Sequence, residues 1–123
     1  MASPSRYPET YAAWQRDPEA FWGEAAAAID WATPATRIFA PEEGAYGRWF
    51  VGGEVNACHN AVDRHVAAGR GDQAAILYDS PVTGTKRRIT YAELLSEVEA
   101  LAAVLQDLGV GRGDRVVLYM PMG

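Results

Sequence analysis

The sequence predicts a mixed α/β piece, mostly helical to about Gly69, then a hairpin, a long helix and a strand. Three observations carry this reading. Thr90-Tyr91-Ala92-Glu93 has the form of a capping box, followed by apolar residues at helical spacing. Two strand-like runs flank a turn-rich stretch, Asp79-Ser80-Pro81-Val82-Thr83-Gly84-Thr85. Finally, Val116-Val117-Leu118-Tyr119-Met120 is an unbroken apolar run of the kind found in strands covered on both faces of a parallel sheet.

Taken in order, Pro8 and Asp17-Pro18 open helices, because proline suits the first helical turn and aspartate the cap before it. From Pro18 to about Ile29, Phe21, Ala25 and Ile29 share one face, beside Trp22 and Ala26. Asp30 to Gly47 holds Pro34, Pro41 and Gly44 without clear periodicity, and reads as an extended strap. Trp31, Phe39 and Tyr46 need cover, from this chain, a missing body or a neighbouring subunit. Arg48-Trp49-Phe50-Val51 is a short extended piece closed by Gly52-Gly53.

Asn56 then caps a helix from Ala57 to about Ala67, with Cys58, Ala61, Val62, His65 and Val66 as its inner stripe and Gly69 at its stop. The hairpin pairs a buried Ala74-Ala75-Ile76-Leu77-Tyr78 with Arg87-Arg88-Ile89-Thr90, an edge strand carrying charge. Behind the capping box, Leu94, Val98, Leu101, Leu105 and Leu108 form one stripe of a helix of about five turns. Gly109 ends it, with Val110 making the accompanying hydrophobic contact. Gly113-Asp114 turns the chain into the apolar strand, so this helix and strand are half of an α/β unit whose crossover and partner strand are not here.

Composition narrows the function. The chain has 123 residues, with 49% apolar and 11% aromatic side chains, enough for a core and against wholesale disorder. The net charge is −5 with a single lysine, Lys86, a poor balance for holding nucleic acid through its phosphates. One cysteine excludes a disulfide framework and a cysteine-based zinc site within the chain. No stretch nears the roughly eighteen consecutive apolar residues of a membrane span. The N-terminus lacks the basic and apolar regions of a signal peptide. The expected setting is cytoplasmic, with no nucleic-acid or membrane partner.

Candidate chemistry is sparse. Cys58 and His65 lie seven apart on one helical face while His59 points elsewhere, and a closed zinc site needs about four ligands. Cys58 therefore reads as a core thiol. Thr83-Gly84-Thr85-Lys86 faintly suggests a phosphate loop, but a charged strand follows where a phosphate-holding helix belongs. Arg87-Arg88 reads as a solvated strand edge. Gly109, Gly111 and Gly113 follow a helix, the wrong order for a dinucleotide fingerprint. No Ser-His-Asp set and no paired carboxylates with a positioned acid emerge, so the expected catalytic, cofactor-binding and metal residues of this chain are none.

The motifs do resemble a family. Ile89-Thr90-Tyr91-Ala92-Glu93-Leu94 is similar to the first core motif of the adenylate-forming enzymes. Leu108-Gly109-Val110, Gly113-Asp114-Arg115-Val116 and Tyr119-Met120-Pro121-Met122 resemble the short-chain acyl-CoA synthetases of that AMP-binding superfamily. Arg48-Trp49-Phe50, Asn56 and Asn60-Ala61-Val62-Asp63-Arg64-His65 resemble the same subgroup. Tyr11, Trp14, Pro18 and Phe21-Trp22 fit the N-terminal extension that acetyl- and propionyl-CoA synthetases share. Cys58-His59-Asn60-Ala61 and Tyr78-Asp79-Ser80-Pro81-Val82-Thr83 look more like the propionyl-CoA branch than the acetyl one.

The resemblance implies residues 1–70 as that extension and 71–123 as the truncated start of the AMP-binding domain, an incomplete fold ending in a parallel-type strand. It also implies a ligase in which a carboxylate attacks ATP, giving an acyl-adenylate and pyrophosphate, before the thiol of coenzyme A displaces AMP. Magnesium neutralises the phosphates in the first step. The family's phosphate loop, ATP motifs, acyl pocket and catalytic lysine lie further along, and Lys86 does not match that lysine. ATP, coenzyme A and Mg thus belong to a full-length parent, its substrate is a short-chain carboxylate, and none of these ligands is expected to bind this segment, which is expected to be inactive alone. The segment's partner is the remainder of the ligase or a neighbouring subunit. The alternatives are a stand-alone interaction or regulatory module, the acetate-specific ligase, and an unrelated small ligand-binding domain.

Overall fold

A computed structural model of the chain describes residues 5–120. Pro121, Met122 and Gly123, including the end of the Tyr119–Met122 motif, lie outside the described residues. The fold divides into two units, with the division between Ala57 and Cys58.

In the first unit, helix α1 (Tyr7–Arg16) carries proline in its first turn and stacks Tyr7, Tyr11 and Trp14 along one face, with successive ring centroids 5.7 and 5.5 Å apart. The aspartate between the helices caps as expected. Asp17 accepts a hydrogen bond from the Ala20 amide at 3.0 Å, opening α2 (Pro18–Ala26) with proline in its first turn. Helix α2 stops short of Ile29, and the Trp31 indole N–H donates to the Ala26 carbonyl at 2.9 Å, giving that helix-end acceptor a partner.

The stretch read as an extended strap pairs with the chain that follows it, one of the covers expected, and the unit is less helical than expected. Strand β1 (Trp31–Thr33) pairs antiparallel with β4 (Glu54–Val55), and nested between them β2 (Arg37–Ala40) pairs antiparallel with β3 (Arg48–Val51). Pairing gives the strap's backbone donors and acceptors partners, which a lone extended segment lacks. The register sets Phe39 opposite Trp49, with ring centroids 4.4 Å apart, and buries Ala40 completely. Gly47, at φ +71°, lets the chain approach Phe39 so closely that a Cβ there would stand 2.4 Å from the ring.

Helical turns occupy residues 57–70, all but Ala57 in the second unit, but they are not the regular α-helix expected. Two wide i→i+5 segments interrupt them, π1 (His59–Asp63) and π2 (Val66–Arg70). Val62 is buried, Cys58, His65 and Val66 are half-buried, and Ala61 is exposed, so the expected inner stripe forms except at Ala61. Gly69 takes φ +75°, and the helical turns run one residue past it.

The hairpin forms between β5 (Ala74–Ser80) and β6 (Thr85–Thr90), antiparallel, with Tyr78 opposite Arg87. Its first strand was expected to be buried, yet Ile76 is 41% and Leu77 78% exposed, because no other described strand lies beside it. Helix α3 (Tyr91–Asp107) starts at the capping box. The Glu93 amide donates to Thr90 Oγ1 at 3.2 Å, and the Thr90 amide donates to Glu93 Oε2 at 2.8 Å. Its end is a Schellman motif, with the Gly109 amide on the Gln106 carbonyl at 2.9 Å and the Val110 amide on the Leu105 carbonyl at 3.0 Å.

The parallel-type strand expected from Val116 to Met120 is not formed. These residues pair with no strand among those described, and their exposures run from 53% at Val116 to 99% at Tyr119. A strand exists only through hydrogen bonds to a neighbour, and every ladder among the described residues is antiparallel and two-stranded. The mixed helix-and-strand class holds; the parallel element does not.

Candidate functional site

Cys58 and His65, expected on one helical face, each meet partners of their own. The Cys58 thiol donates to Asp63 Oδ2 at 3.5 Å, five residues on, as the wide turn of π1 favours. The His65 ring lies 4.8 Å from that of Tyr91 on α3, and the Arg70 guanidinium donates to His65 Nδ1. Burial, then the Asp63 carboxylate through its hydrogen bond and charge, pushes the Cys58 thiol above its ordinary pKa. Since the thiolate is the nucleophile and metal ligand, this environment suppresses that chemistry. No group of three or more His, Cys, Asp or Glu able to hold a metal occurs among the described residues.

Thr83-Gly84-Thr85-Lys86 lies in the hairpin turn and the start of β6, with Gly84 at φ +67°. The basic residues beside it are engaged. Lys86 Nζ meets Asp79 Oδ2 across the ladder at 2.7 Å, Arg87 reaches Glu97 on α3 at 3.6 Å, and Arg88 donates to the Asp72 carbonyl at 2.9 Å. The alternating glycines also serve local structure. Gly109 belongs to the helix stop, while the Gly111 amide donates to Asp114 Oδ2 at 2.7 Å and the Asp114 amide returns a bond to the Gly111 carbonyl at 3.1 Å. That closed turn aims no row of amides at a phosphate.

Two open cavities in the first unit escaped sequence reasoning. One, of about 470 Å³, lies between α1 and α2 and is lined by Arg6, Glu9, Thr10 and Phe21 among others. The other, of about 500 Å³, is walled by Trp14, Trp22, Trp49 and Phe50. Phe50 stands at φ +53°, an outlier for an aromatic residue, with its ring 5.5 Å from Trp31 and 6.1 Å from Trp49. The aromatic spacing in α1 was the available signal; convergence with β3 is a tertiary fact. This second cavity offers apolar cover and no acid, base or nucleophile among its lining residues.

Comparison with known proteins accounts for nearly the whole chain. Residues 7–61 match the family model described as "Acetyl-coenzyme A synthetase N-terminus", and residues 63–123 match "AMP-binding enzyme". The chain is 51% identical over 120 residues to the human "Acyl-CoA synthetase short-chain family member 3, mitochondrial", covering 98% of this chain and 18% of that protein. It is 46% identical over 114 residues to an "Acetyl-coenzyme A synthetase" of Mycolicibacterium smegmatis, covering 93% of this chain and 12% of that protein. An acetyl-coenzyme A synthetase of Mycobacterium bovis is 44% identical over 114 residues, at 93% and 18% coverage. The chain thus spans less than a fifth of the length of these relatives.

Proposed function

Because the chain belongs to the short-chain acyl-CoA synthetase family of the AMP-binding superfamily, whose N-terminal portion it matches, we propose that it is the scaffold-forming start of an ATP-dependent acyl-CoA ligase. The whole ligase joins a short-chain carboxylate to coenzyme A through an acyl-adenylate, releasing pyrophosphate and then AMP. In this reading residues 1–70 are the extension, 71–123 open the AMP-binding domain, and the 123 residues alone turn over no substrate. The observation that carries the ligase reading is the pair of adjoining family matches spanning residues 7–61 and 63–123.

Propionate is the proposed acid, supported by the Cys58–Ala61 and Tyr78–Thr83 motifs. Acetate is the second reading, favoured by the acetyl-coenzyme A synthetase names among the relatives and by the first family model. The test is to supply the longer protein with ATP, Mg, coenzyme A and either acid, and to follow AMP and acyl-CoA. We expect both products with each acid, kcat/KM higher for propionate, and no turnover by the 123-residue chain. Failure to form AMP with any short-chain acid overturns the ligase reading, and a higher kcat/KM for acetate overturns only the choice of acid. A cytoplasmic setting is proposed with it; fractionation of expressing cells separates this from the mitochondrial setting named for the human relative.

A further inference from the structure

We draw no further inference here: the strongest candidate, the open aromatic cavity of about 500 Å³ in the first unit lined by Trp14, Trp22, Trp49 and Phe50, carries nothing because nothing in the structure shows what covers it.

Discussion

Thr90 and Glu93 bind each other's backbone amides at the start of α3, and the consequence is a titration that should be measurable. Hydrogen bonds from the Thr90 amide and hydroxyl, in that order, hold the Glu93 carboxyl below the usual carboxylate range. A carboxyl with a lowered folded pKa stabilises the fold above its ordinary value, about 4.3, and that contribution is lost as pH falls through the lowered folded value. Unfolding followed by far-UV circular dichroism should therefore show a loss of stability over that acidic window, and Glu93→Gln should remove this part of the pH dependence. Thr90→Ala should cost about 1 kcal/mol, the usual loss for a helix cap. Cys58 makes the opposite case, because burial leads in raising its pKa and Asp63 follows. Its alkylation rate against pH should inflect above that of a free thiol. Asp63→Asn should move the inflection down only part of the way, since burial remains; an unmoved or fully normal profile would contradict that ordering of causes.

Among the elements, α3 was the most legible, because its start, stripe and stop are all written within some twenty consecutive residues. Local rules suffice where the partners are close in sequence. The helix at 57–70 was legible as a helix but not as one with wide turns, because the same residues satisfy either period. The nested ribbons of 31–55 were missed because their partners, such as Arg37 and Val51, are set by pairing rather than by a periodic signal. Of the candidate constellations, the Cys58–His65 pair finds other partners, Asp63 for the thiol and Tyr91 and Arg70 for the ring, which helical spacing alone does not show. Two substitutions test the elements. At Gly109, φ is +84° with nothing within 4 Å of an added Cβ, so Gly109→Ala should cost only the left-handed backbone penalty, about 1 kcal/mol, in urea unfolding. At Gly47 the same change also meets Phe39 at 2.4 Å, and should cost more than about 1 kcal/mol and disturb the Phe39–Trp49 stack seen by tryptophan fluorescence.

At the scale of the whole molecule, few of the described apolar side chains find cover. Of the apolar side chains described, only Ala40 and Val62 are buried, and the stripe of α3 leaves Leu101 59% and Leu108 75% exposed. A five-residue apolar run at 116–120 stands unpaired beside these faces in sequence. Such surfaces are what one wall of a larger core presents, in accord with a chain spanning 18% of its human relative. Hydrogen exchange at the amides of Val116–Met120 tests this most directly, compared between the 123-residue chain and the longer protein. The account predicts unprotected amides in the short chain and strong protection in the longer one. Protection already present in a monomeric short chain, or equally fast exchange in both, would contradict it.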